Sequence, residues 1–309
     1  MFLKDRFFIF TMKIFIIIGL LIFPLLWVAA QEQGDEPYAF DLSTFSGVHQ
    51  GNSYITMPFN IGNIAPIWFE ANVMPDFIIR KSKNARLMGV ITPQIIIRMY
   101  QEESFPVRTP SYIPQITIYY APTPDPVKER TILFGRIAHH SNGQEGDFYL
   151  PGQVINLKAG NFSTNYLQAG AIRSRYSKRL DAWQFFSTHI EVHPKDWTIP
   201  ELRNQYSPLR WQVAMSVYKN PFAKKTDRHN KSQLSVIAKA SWMFGEVGGW
   251  ETFDSDRLTV DLTFNLHPGF FEEIGFFVNF YFGMDYYNIY FNEQLQVIRF
   301  GIMTEGLKF

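Results

Sequence analysis

The chain has 309 residues, no cysteine, 29 Lys and Arg against 28 Asp and Glu, and an aromatic share of 17%, with 30 phenylalanines. The missing cysteine excludes disulfides, thiolate metal sites and cysteine nucleophiles. A net charge of +1 with no basic run gives no electrostatic case for nucleic acid, and low charge with many aromatic residues excludes a disordered chain.

Lys4, Arg6 and Lys13 precede an apolar run from Ile14 to Trp27, and Val28-Ala29-Ala30 supplies small residues before Gln31. This layout predicts a secretory signal peptide over residues 1–30. A membrane anchor is the alternative, although the run is short of the ~20 residues that a helical span needs. No later window is long and apolar enough for a spanning helix, so an exported chain of this composition has a β-barrel as its remaining membrane option. Residues 31–52 are expected as a periplasmic N-terminal segment able to pack in the lumen, and residues 53–309 as the barrel.

From about residue 53, stretches of roughly ten residues with strand composition alternate with polar or Pro/Gly-rich turns. Strands are predicted near 53–59, 67–80, 86–100, 111–121, 130–141, 164–176, 182–193, 209–220, 232–245, 257–267, 273–283 and 294–304. Twelve is an even number, which puts both barrel ends on the periplasmic side. The expected fold class is therefore all-β, a twelve-stranded antiparallel transmembrane β-barrel. Arg257–Leu266 shows the alternation: Leu258, Val260, Leu262 and Phe264 share one face, Thr259, Asp261, Thr263 and Asn265 the other. A soluble β-sandwich has the same period. The aromatic excess, expected of interfacial girdles, favours the membrane. So does the terminal Phe309, which resembles the C-terminal signature of outer-membrane barrels. Odd strands then rise, making the connections at 101–110, 142–163, 194–208, 246–256 and 284–293 extracellular, and those at 121–129 and 177–181 periplasmic.

The fifth strand reads Thr131-Ile-Leu-Phe-Gly-Arg-Ile-Ala-His-His-Ser-Asn-Gly143. Leu133, Gly135, Ile137, His139 and Ser141 share a face that is apolar until its outer end, so it is the expected lipid-facing wall. An imidazole and a hydroxyl two residues apart at its rim would be costly as unpaired polar groups facing lipid. A His that removes the proton of a Ser nucleophile explains the placement, while an interfacial His touching headgroups is the plainer alternative.

The run His139-His140-Ser141-Asn142-Gly143 resembles the His-x-Ser-Asn-Gly motif of outer-membrane phospholipase A, a twelve-stranded, calcium-dependent barrel enzyme. Glu102-Glu103-Ser104-Phe105-Pro106-Val107-Arg108, followed by Tyr112 and Pro114-Gln115, resembles that family's Glu-Glu-Ser-x-Pro-x-Arg loop and Tyr-x-Pro-Gln. The detailed match spans residues 102–143. The resemblance implies hydrolysis of acyl esters of membrane phospholipids, with Ser141 as nucleophile, His139 as general base and Gly143 at the oxyanion. It implies a third residue, an Asn opening the next strand. Asn165 shares its face with Leu167, Ala169 and Ala171 and is preferred, with Asn161 and Asn156 open because Gln144–Gly160 is an insertion relative to the family. The resemblance also implies calcium at the interface of a homodimer, bound by the backbone oxygens of Ser104 and Gln144 and a side-chain oxygen of Asn161. Gln144 stands where the family usually has Arg. Glu145 and Asp147 are further candidate ligands in the inserted loop.

His189-Ile-Glu191-Val-His193 puts three potential ligands on one strand face, for which a polar lumen wall is the expected role; Arg136, Arg173 and Glu191 are expected to pair inside the barrel. Two rival functions remain: a non-catalytic barrel, either channel or structural protein, and a lipopolysaccharide deacylase.

Overall fold

A computed structural model describes residues 40–79, 86–123, 129–219 and 232–304. The expected signal peptide, residues 31–39 and Phe309 lie outside the described residues. The chain forms β1 Tyr54–Gly62, β2 Ile67–Val73, β3 Leu87–Tyr100, β4 Ser111–Tyr120, β5 Thr131–Ser141, β6 Ser163–Ser177, β7 Ala182–Val192, β8 Leu209–Lys219, β9 Leu234–Phe244, β10 Leu258–Leu266, β11 Ile274–Met284 and β12 Gln294–Thr304. Each strand pairs antiparallel with its sequence neighbours, and β1 pairs with β12, so the twelve strands close into a barrel with no free edge.

Alternation builds the two surfaces. In β4, Tyr112, Pro114, Ile116, Ile118 and Tyr120 point outward, while Ser111, Ile113, Gln115, Thr117 and Tyr119 point inward. Outward isoleucines and tyrosines form an apolar belt, as lipid contact requires. Two prolines shape the seam. Pro58 sits in a register shift between Thr56 and Asn60, where β1 carries extra residues against β12 and no ladder donor is required. Pro75 splits the expected second strand, so the segment Phe77–Ile78 pairs with β3 separately from β2.

The barrel is filled. A helix α1, Leu42–Gln50, starts at Asp41, whose carboxylate accepts a 3.0 Å bond from the Thr44 amide, and ends at Gly51 with φ +89°. Its Leu42 and Phe45 pack with Phe40 against inward Val90, Tyr119, Phe134 and Phe185, closing the lower end. At the other end, which carries the long loops, Phe148, Phe162, Leu202, Val247, Tyr287, Tyr290 and Phe291 form a second apolar cluster. Between the two lies a polar chamber of about 450 Å³, lined among others by Arg136, His140, His189, Glu191 and Lys239.

Near the seam, the fully buried Arg98 bonds Glu70 at 2.5 Å and Asp285 at 2.6 and 2.8 Å; Glu70 also meets Arg299 at 2.7 Å and the Tyr54 hydroxyl at 2.6 Å. This network ties β1, β2, β3 and β12 to the loop after β11. Arg136 and Glu191 pair inside as expected, with Gln50 at 2.5 Å and with Arg210 at 3.2 Å. Arg173 does not: it stands half-exposed on the outer face and bonds Glu129 at 2.6 Å at the lower rim, because its odd place in β6 points it away from the lumen. Among the described residues no helix is long and apolar enough to cross a membrane.

Candidate active site

The outer end of β5 and the start of β6 make the site. Along β5 the inward positions Ile132, Phe134, Ala138 and His140 are buried, while Leu133, Gly135 and Ile137 are exposed and His139 and Ser141 half-buried on the outer wall. The β5–β6 register sets His139 opposite Asn165 and Ser141 opposite Ser163, and β4 places Tyr112 opposite Ser141. Directly opposed side chains on one face lie about 5 Å apart, within reach of a hydrogen bond.

That bond is made. His139 Nδ1 lies 2.8 Å from Asn165 Oδ1, and Asn165 Nδ2 donates to the Trp197 carbonyl at 2.9 Å. A carbonyl can only accept, so the Asn165 amide nitrogen faces Trp197 and its oxygen faces the ring. The oxygen in turn requires the proton on Nδ1, leaving Nε2 as a base. Ser141 stands two residues further along the same face, roughly 6.6 Å away by strand rise, and the two side chains are not hydrogen-bonded to each other. A base and its nucleophile are often drawn together only when substrate is present.

The turn after Ser141 is held by Asn142, whose Oδ1 accepts from Phe162 N at 3.0 Å and Gln144 N at 3.3 Å, while its Nδ2 donates to Gly160 O at 2.8 Å. Gly143 follows with φ +68°, and a Cβ there would stand 3.3 Å from Tyr112 Cε2. Both facts call for glycine and leave its backbone exposed beside Ser141.

The segment from Gln144 to Gly160 folds on itself. Gly146 N bonds Ala159 O and Asn161 N bonds Gly146 O, both at 2.9 Å, so the loop is pinched at its base; beyond the pinch Tyr149–Leu150 pairs with Val154–Ile155. Asn156 spends its side chain inside the loop, on Asp147 O and Ala159 N, and Asn161 sits at the pinch. Of the three asparagines, Asn165 is the one in contact with His139.

Ser104 is exposed in the loop after β3, where Glu102 and Arg108 form a 2.6 Å ion pair; Gln144 and Asn161 flank the inserted loop, and Glu145 and Asp147 are exposed on it. Their donor atoms are all hard oxygens, which suits calcium. Among the described residues no three His, Asp or Glu side chains gather for a metal. His189, Glu191 and His193 line the chamber wall instead: His193 Nε2 is 2.9 Å from Glu191 Oε1, and burial lowers the His193 pKa against the pull of that carboxylate. Sequence reasoning missed Trp197, because its contribution is a main-chain oxygen on a loop remote in sequence from Asn165.

No family model and no curated protein matches the sequence. Solved structures do match. Outer membrane phospholipase A from Escherichia coli superposes with a TM-score of 0.54 at 11% identity, over 82% of this chain and 92% of that one. The calcium-bound dimer of the Salmonella typhi outer membrane phospholipase gives 0.57 at 10% identity, over 89% and 94%. The fold is that of outer membrane phospholipase A. An active-site mutant of the E. coli phospholipase agrees, with a TM-score of 0.55 at 12% identity. Likeness to these phospholipases extends through nearly the whole of their barrels, at identities that speak for the fold alone.

Proposed function

We propose that this chain is a member of the outer membrane phospholipase A family, a serine esterase that hydrolyses the acyl esters of glycerophospholipids in the outer membrane of a Gram-negative bacterium, reached through a signal peptide at residues 1–30. The observation that carries the proposal is the His139–Asn165 bond on the lipid-facing wall, with Ser141 beyond it. Ser141 Oγ attacks the ester carbonyl as His139 Nε2 takes its proton; the imidazolium then protonates the departing lysophospholipid alcohol. Water deacylates Ser141 by the same route. Asn165 holds the tautomer and stabilises the imidazolium. A neutral amide suits this position, since a carboxylate facing lipid would be costly to desolvate. In this reading the Gly143 amide donates to the oxyanion. Calcium, held by the backbone oxygens of Ser104 and Gln144 and the Asn161 side chain across a homodimer, would supply positive charge beside that oxyanion.

The two apolar clusters packed inside the barrel speak against a wide channel. The deciding experiment is hydrolysis of defined phospholipids by purified, detergent-folded protein, with calcium and with chelator. Fatty-acid release by the parent and none by Ser141→Ala supports the proposal; equal release by both overturns it.

A further inference from the structure

The loop between β7 and β8 is bound to the strand that carries Asn165. Ile199 N donates to Ser163 O at 3.1 Å, and Thr198 forms an antiparallel bridge with Thr164. These contacts directly follow the Trp197 carbonyl that receives the Asn165 amide at 2.9 Å. Below them, Thr198 Oγ1 lies 2.9 Å from Thr164 Oγ1, which lies 3.0 Å from His193 Nδ1; His193 Nε2 is 2.9 Å from Glu191, and Arg210 meets Glu191 at 3.2 Å.

Glu191 accepts from His193 Nε2–H, which leaves Nδ1 to accept from Thr164; the Thr198 hydroxyl has one proton for two acceptors, the Thr164 oxygen at 2.9 Å and the Pro194 carbonyl at 3.1 Å, and so ties the loop both to β6 and to its own start. Burial favours the neutral ring that this polarity needs. The His-x-Glu-x-His run singled out in the sequence thus has a use that is not metal binding: two of its three members, Glu191 and His193, anchor a loop.

The anchoring matters because the two ends of an Asn amide are nearly the same shape. With no partner at Nδ2, the group can present either NH₂ or oxygen to His139. The NH₂ end would demand an acceptor at Nδ1 and so put the imidazole proton on Nε2, the wrong nitrogen for Ser141. We infer that the 193–199 loop is a positioning element for the proposed esterase, in which the Trp197 carbonyl, held by Thr198, fixes the Asn165 amide and through it the reactive tautomer of His139. This inference rests on the proposed roles of Ser141, His139 and Asn165.

The test is a double-mutant cycle. Thr198→Val keeps the shape and removes the hydroxyl; Thr198→Ser restores it. Thr198→Val should lower kcat about tenfold with KM unchanged, as the loss of one hydrogen-bonded anchor predicts. Thr198→Ser should recover most of the rate. In an Asn165→Ala background, Thr198→Val should cost nothing more, because the loop then has no amide to hold. A parental kcat in Thr198→Val overturns the inference, as does an equal loss in both backgrounds, which would mean a general structural role. The underlying reading fails separately, by an Asn165→Ala protein of undiminished activity.

Discussion

Replacing Asn165 with Ala removes one partner of the 2.8 Å bond to His139 and leaves β6 its backbone pairing with β5 and β7. Two losses follow. A neutral bond is worth ~1 kcal/mol and one to a charged group ~1.5–3, so stabilisation specific to the imidazolium of the transition state is about 1–2 kcal/mol, or roughly 5–30-fold in rate. The freed ring can also place its proton on Nε2 and rotate. If the competent state falls to about a tenth of the population, kcat drops about tenfold more. The combined expectation is a kcat reduced on the order of 10²-fold, with KM little altered, since Asn165 is not expected to touch substrate. Initial rates of fatty-acid release from a short-chain phospholipid in mixed micelles measure it, with heat-modifiable gel mobility confirming a folded barrel. An Asn165→Ala enzyme with parental kcat would refute the orienting role.

Ser141→Ala should lose at least ~10³ of the rate while stability in urea changes by less than ~0.5 kcal/mol, because among the described residues the hydroxyl makes no hydrogen bond. Chelation should abolish hydrolysis and reduce the cross-linked dimer in detergent, both restored by added calcium, because in the proposed function the ion is shared between two chains; full activity of a proven monomer in chelator would remove both halves of the proposal. Arg98→Met leaves Glu70 and Asp285 buried without their shared cation and should cost ~3–5 kcal/mol in urea unfolding from lipid vesicles. The exposed Arg173→Met should cost less than ~1 kcal/mol, and equal losses would argue that the seam network is not what holds the barrel closed.

Strand positions were legible because alternation is imposed by two solvents, lipid outside and a polar lumen inside. In β10, Thr259, Asp261, Thr263 and Asn265 do line the chamber, as their spacing required. The outward set of β5 was readable for the same reason, and with it the shared face of His139 and Ser141. What the sequence concealed depends on contacts between distant segments. Glu70, Arg98, Asp285 and Arg299 meet only once the barrel has closed, and nothing local announces them. The split of the expected strand 67–80 at Pro75 was signalled by the proline itself, although flanking apolar residues read as a continuous strand. Arg173 was misplaced by composition: arginine suggests a lumen, but strand parity decides, and the lower rim lets its charge stay wet. Among the asparagines, parity favoured Asn165, and the register of β5 with β6 brings it opposite His139.

The pinch at Gly146 and Gly160 makes the segment beyond it a cassette. A chain excursion that begins and ends at one point transmits little of its length to the strands that carry it, since each doubling of a flexible loop adds only ~0.6 kcal/mol of closure entropy. Both glycines permit the close approach: a Cβ on Gly146 would fall 2.4 Å from Ala159 O, and one on Gly160 2.5 Å from Asn156 O. Exchanging what lies past that neck would redecorate the approach to Ser141 while the imidazole and its amide keep their places, so reactivity and access can be varied independently in one barrel.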